Sequence, residues 1–220
     1  MKKTFRALAL IGGVSVALFA LPWAGHSQNF YFNANAGASL ADDVDLRQFV
    51  VPTRGGELEL DPGPRLSVAG GYSFNDFIGV QVETGFIYNE IKNVNSRGDD
   101  EASLSHVPLL ADVVLRYDKP DCKWVPYIGA GAGGDASVIM LDHVRAPNGT
   151  VVDGSGSELV FAWQAFAGAR YKITDQMSIG GGYKFYSASG ASWDVRNTAG
   201  DIKAGTARVH SLGVDFTMKF

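Results

Sequence analysis

Cysteine is nearly absent. Cys122 is the single one in 220 residues, so an internal disulfide cannot form and a paired-cysteine zinc site is excluded. Long apolar runs are equally scarce. Beyond Leu21 no stretch approaches the roughly 20 continuous apolar residues that a spanning helix needs. Positive charge is also short: 19 Lys and Arg face 23 Asp and Glu, a poor balance for gripping nucleic acid. If such a chain crosses a membrane, it does so with strands.

The N-terminus holds what the remainder lacks. Lys2, Lys3 and Arg6 precede an uncharged apolar run from Ala7 to Leu21, followed by Pro22 and the small-residue stretch AGHSQ. Basic, apolar and small in that order is a secretory signal peptide. Cleavage after Ser27 sets Gly25 and Ser27 at the small-residue positions, dividing the chain into a leader over 1–27 and a mature domain over 28–220. No cysteine follows the apolar run, so lipid attachment there is not expected. Losing the three basic residues leaves 16 Lys and Arg against 23 Asp and Glu, a net charge of −7.

The mature region is rich in alternation. Period two marks a strand with one apolar and one polar face. Eight stretches show it, at roughly 29–40, 64–74, 77–90, 102–117, 124–140, 157–172, 177–188 and 207–220. Short turns at 75–77, 118–123 and 174–176 alternate with longer connections at 41–63, 91–101, 141–156 and 189–206, full of Gly, Asp, Asn and Ser. Short turns at one end and long loops at the other characterise outer-membrane barrels. An even strand count puts both termini at the short-turn, periplasmic end.

The rows decide between a soluble sandwich and a membrane barrel. Ile78, Val80, Val82, Thr84, Phe86 and Tyr88 oppose Gly79, Gln81, Glu83, Gly85 and Asn89, a row broken by Ile87. Val107, Leu109, Ala111, Val113, Leu115 and Tyr117 oppose a row holding His106, Asp112 and Arg116. With strands alternately up and down, aromatics of the apolar rows fall at two heights. Phe30, Phe32, Tyr72, Phe74, Tyr117, Tyr171 and Phe220 are low; Phe86, Tyr88, Phe161, Trp163 and Phe185 are high. Two girdles around an aliphatic belt are expected at two bilayer interfaces. The fold expected is all-β, an eight-stranded antiparallel up-and-down transmembrane barrel, monomeric, in contact with outer-membrane lipid.

The polar rows then face the lumen. They carry Arg65, Arg116, Arg170 and Lys184 against Glu83, Asp112, Asp135 and Asp215, with Tyr127, Phe166 and Tyr186 taking up space. Eight strands leave a bore that side chains can fill, and a buried charge without a partner is costly. A neutralised polar plug is the expectation; a narrow conduit for small or hydrophobic solutes is the alternative. The runs GAGAGG (129–134) and GGG (180–182) lack the Lys-Ser/Thr or strand-turn-helix context of a phosphate cradle. In strands, glycine makes room for a bulky neighbour.

The last residues, HSLGVDFTMKF, alternate strictly to the end. Pairing of this strand with the first removes both sheet edges. Here the chain resembles the small eight-stranded outer-membrane barrels of the outer-membrane protein A and opacity type, over essentially its whole mature length. Leu212, Val214, Phe216, Met218 and Phe220 look like that family's assembly signal. The resemblance implies the barrel-assembly machinery and periplasmic chaperones as partners during biogenesis. VPYIGAGAGG (125–134) is similar to the fifth-strand pattern of such barrels.

Chemistry is thinly represented. His210 and Ser211 are adjacent, but strand neighbours point to opposite faces, and a lipid A-modifying enzyme is the least favoured reading. RGD at 97–99 is too short a motif to carry adhesion by itself. Asp42, Asp43 and Asp45 with Glu57, Glu59 and Asp61 offer oxygen ligands for calcium, yet match no EF-hand spacing. No catalytic, cofactor or metal residue is assigned. The expected role is an anchor displaying four loops for adhesion, interaction with an extracellular ligand or envelope integrity.

Overall fold

The computed structural model describes residues 29–49, 51–94, 101–145, 151–195 and 201–220. The expected leader and its cleavage site lie outside these residues, as does the RGD stretch. Among the described residues twelve strands form one sheet: β1 (Phe30–Ala41), β2 (Val44–Phe49), β3 (Val51–Leu60), β4 (Gly63–Ser73), β5 (Ile78–Val94), β6 (Glu101–Arg116), β7 (Trp124–Arg145), β8 (Val151–Lys172), β9 (Met177–Ala188), β10 (Ser192–Trp193), β11 (Ile202–Ala204) and β12 (Ala207–Lys219).

Eight of them close a barrel in the order β1, β4, β5, β6, β7, β8, β9, β12, with β12 returning to β1. All neighbouring pairs are antiparallel. The seam runs from Tyr31 opposite Lys219 to Ala41 opposite Val209. The Phe220 N–H, donating to the Phe30 carbonyl at 3.0 Å, ties off the chain end. Closure pairs each of the eight barrel strands on both sides, which a sheet surrounded by lipid requires.

The long connections are not all loops. Segments 41–63 and 189–206, expected as loops, hold β2, β3, β10 and β11. β5 continues to Val94, while β7 and β8 reach Arg145 and Val151. Each added strand prolongs a barrel strand beyond a break. β1 and β2 form one rising path interrupted at Asp42–Asp43; β3 and β4 form one descending path interrupted at Asp61–Pro62. Pro62 has no N–H to give a ladder. Bridging hydrogen bonds carry the sheet across the breaks, from Asp42 N–H to the Arg208 carbonyl and from Gly205 N–H to the Asp45 carbonyl.

The apolar face changes side along this wall. On β8 the outward row Tyr171, Ala167, Trp163, Phe161 and Leu159 is exposed, and Leu159 is 79% accessible. Above it the outward residues become Ser157, Ser155 and Asp153. The inward row runs from Arg170, Phe166 and Gln164 to Ala162, Val160 and Val152. Apolar groups therefore face lipid below this level and the interior above it. Aromatic pairs mark both borders. Phe30 with Tyr72 (5.1 Å) and Trp124 with Tyr171 (5.3 Å) lie at the short-turn end; Trp163 with Phe185 (5.3 Å) and Phe86 with Tyr88 (6.2 Å) lie at the other.

Candidate functional site

The interior of the barrel holds three layers. The middle one centres on Glu83 of β5. Lys184 of β9 donates to both of its oxygens, at 2.6 and 2.5 Å, and Arg65 of β4 stands 3.6 Å away. Arg65 also donates to Gln164 Oε1 at 2.9 Å. The Gln164 amide donates to Asp112 at 3.0 Å, and the Gln81 amide donates to its other oxygen at 2.9 Å. Tyr31 O–H donates to Gln81 Oε1 at 3.2 Å. Asp112 is thus held by neutral amides, and Glu83 by two cations. Arg65, Glu83 and Gln164 are at most 1% exposed.

Glycine makes this packing possible. A Cβ on residue 131 would strike the Asp112 carboxylate, and one on residue 168 or 182 would strike the Tyr127 hydroxyl. The two glycine runs make room inside the lumen, and their backbone is strand.

Below, Arg170 pairs with Asp215, which also accepts from Tyr127 O–H at 2.9 Å. The Arg170 guanidinium lies 4.1 Å from the Tyr127 ring centre, a cation–π contact. Arg116 stands over Tyr31 at 5.1 Å and 3.8 Å from Asp118. Lys172 and Lys219 converge on the same Asp118. Above the middle layer, His106 Nδ1 lies 2.6 Å from Asp135 Oδ2, and its ring meets Tyr186 edge-on at 5.7 Å.

The eight charged residues expected inside are therefore all buried in the lumen, but they do not pair only with one another. Asp135 meets His106, Arg116 meets Asp118, and Asp112 meets two amides. Asp118 and Lys219 were missed as lumen residues, because they sit where strands run into short turns. One further inward step along the same rows finds each: Arg116 to Asp118, Thr217 to Lys219.

Higher still, the lumen turns apolar. Val44, Leu46, Phe49, Leu58, Val152, Trp193 and Ile202 are buried in one cluster that reaches down to Ile87 and Leu110. The Trp193 indole donates to the Ser137 carbonyl at 3.0 Å, and Ser192 N–H donates to the Glu158 carboxylate, joining β10 to β7 and β8. At 25 cal/mol per Å² of apolar area, such a cluster gives the extension a core of its own.

His210 and Ser211 point apart, as period two demands. His210 faces outward, with Nδ1 2.6 Å from the Tyr183 hydroxyl and Nε2 3.6 Å from Asp42, whereas Ser211 is buried inward. Among the described residues no group of three or more His, Cys, Asp and Glu converges as a metal site would.

The outer membrane protein beta-barrel domain matches residues 7–220. Outer membrane protein PagN of Salmonella typhimurium is 36% identical over 85 residues, which are 36% of this chain and 33% of PagN. The match thus spans about a third of that relative's length. The crystal structure of Neisserial surface protein A covers 89% of this chain and 99% of its own, with 17% identity and a TM-score of 0.55. That of OprG from Pseudomonas aeruginosa covers 88% and 98%, with 14% identity and a TM-score of 0.57. At such identities the two structures bear on the fold alone. A closed antiparallel barrel with lipid-facing apolar rows, matched over nearly its whole length, belongs to the outer-membrane β-barrel family and resides in the outer membrane.

Proposed function

We propose that the protein is a non-conducting outer-membrane anchor that holds a rigid, strand-built extension outside the cell for surface contacts. In this reading both chain ends and the short turns face the periplasm, after export by the leader over 1–27. The monomer is inserted by assembly machinery that recognises Leu212, Val214, Phe216, Met218 and Phe220. The observation that carries the reading is the continuous apolar cluster above the paired polar layers. A water-filled path would need polar walls throughout, and here Phe49, Leu58, Trp193 and Ile202 close the upper lumen.

The outward side of the extension is polar and mostly acidic. Asp43, Asp45, Glu57, Glu90 and Asp153 are exposed, with Arg47, Lys92, Lys203 and Arg208 between them. A folded, charged surface standing clear of the bilayer suits adhesion or interaction with another envelope component. Planar-bilayer recording with purified barrel tests the reading. Silence is expected from the wild-type protein. Stepwise conductance from the wild type would contradict it and favour a conduit.

A further inference from the structure

The lipid-facing belt is not evenly filled. At mid-height on β1 the outward side chains are Ala34 and Ala36, where neighbouring strands carry bulk. Ala36 stands opposite Val214 of β12 and Leu66 of β4, and Leu66 stands opposite Phe86 of β5. Ala34 stands opposite Phe216 of β12. A groove of 630 Å³ runs over the two alanines between these walls. Leu66 and Val214 are 55% and 57% exposed, so the walls stand clear of the sheet. Nothing in the groove needs a polar partner. Its outward hydroxyl, Thr84, already donates to the Pro108 carbonyl at 2.9 Å. Asn35, Ser67 and Asp215 beneath it turn their side chains into the lumen.

Above the groove the same rows become polar. On β12 the outward row continues from Val214 through Leu212 to His210 and Arg208. His210 meets the Phe185 ring at 5.1 Å, at the upper aromatic border of the belt, and is held between the Tyr183 hydroxyl and Asp42. Arg208, one outward step higher, is exposed and makes no ion pair among the described residues. Val214 and Arg208 are six residues apart, about 20 Å along a strand at about 3.3 Å per residue. A strand tilt of about 40° makes that about 15 Å along the membrane normal. Half of the hydrocarbon core is also about 15 Å thick. A lipid whose head rests on Arg208 therefore brings its chain ends to the depth of the groove.

We propose that the groove is a lipid-binding site, retaining one acyl chain of a phosphate-bearing lipid whose head is held by Arg208. It is continuous with the belt that hydrocarbon covers. A chain lying between two walls gains dispersion contacts on three sides, and one lying on a level row gains them on one. The walls rise from β4 and β12, two strand spacings or about 10 Å apart. That is width for one chain and too narrow for the convex wall of a second barrel. The Arg208 fork suits phosphate oxygens, through charge-assisted hydrogen bonds. Asp42 is turned to His210 and leaves that fork free.

The test is native mass spectrometry of the full folded chain, released from detergent micelles loaded with phosphatidylglycerol or with diacylglycerol of the same chains. The wild type should keep one phosphatidylglycerol molecule, and should keep diacylglycerol about tenfold less, the loss of one charge-assisted hydrogen bond. Arg208→Gln should lower phosphatidylglycerol to the diacylglycerol level. Ala36→Leu fills the groove and should abolish the adduct. Ala130→Leu, equally exposed on β7 but outside the groove, should keep it. Heat-modifiable gel migration establishes that each variant is folded; if Ala36→Leu fails there, Ala34→Leu decides in its place. No predominant one-lipid adduct, an undiminished adduct in the folded groove variant, or no effect of Arg208→Gln would overturn the proposal. Diacylglycerol kept as well as phosphatidylglycerol would overturn it too. A dimer in place of the adduct would assign the groove to a second copy and overturn it likewise.

Discussion

The lower and upper halves of this barrel solve one problem in opposite ways. In the membrane, lipid takes the apolar rows, so the lumen must accept polar groups and pair them. Above the membrane, water takes the outer face, so the same alternating strands turn their apolar rows inward and build a core. A period of two is indifferent to which side is wet. The solvent outside each segment sets the choice, and the switch on β8 between Leu159 and Ser157 records where that solvent changes.

Breaking the lower solution should cost most. Glu83→Ala leaves Lys184 and Arg65 buried without their carboxylate, and removing one partner of such a pair costs about 3–5 kcal/mol. Urea unfolding followed by gel migration should show a large drop in midpoint. Trp193→Ala attacks the upper solution and should cost about 3–4 kcal/mol, the usual range for a large buried aromatic. Its effect should be local: amide exchange accelerates in β2, β10 and β11, while heat-modifiable migration of the barrel persists. If both substitutions unfolded the whole barrel together, the halves would be one cooperative unit and the comparison would fail.

The belt itself gives a sharper contrast. Val113→Lys, on the aliphatic belt and 49% exposed to lipid, should destabilise by about 2–3 kcal/mol, as a charge near the bilayer midplane does. Ser157→Lys, outward on β8 but above the switch, should change stability by no more than about 0.5 kcal/mol. Refolding free energies in lipid vesicles measure both.

Acid should act on the lowest layer. The Asp118 carboxyl, held below its ordinary value by Lys172 and Lys219 despite burial, contributes stability that is fully present above the unfolded pKa of about 3.9. That contribution fades as pH falls through the lower folded value. Asp118→Asn should flatten this part of the pH–stability curve, with thermal midpoints measured between neutral pH and strong acid as the readout.

Much of the lower half was legible in the sequence, because strict alternation with apolar rows such as Ile78 to Tyr88 admits few folds. The eight strands, the short turns and the inward charges all follow from period two. The upper half was not. In 41–63 the alternation is interrupted by Asp42–Asp43, by one register shift where β2 meets β3 and by Asp61–Pro62, and polar residues crowd its outer face. A polar outer row over an inward Val44, Leu46 and Leu58 looks like loop when the expected pattern is apolar outward. Pairing within the lumen was equally hidden, since it depends on which strands face each other across the bore. Gln81 and Gln164 are uncharged, yet they settle Asp112.

Reagent accessibility tests the face reversal most directly. With Cys122→Ser as background, single cysteines at Val113, Asp45 and Leu46 are exposed to a lipid-soluble and a water-soluble thiol reagent in proteoliposomes. The first should react only from lipid, the second only from water, and Leu46→Cys with neither. Rapid labelling of Leu46→Cys by the water-soluble reagent in the folded barrel would contradict the sealed apolar interior on which the account depends.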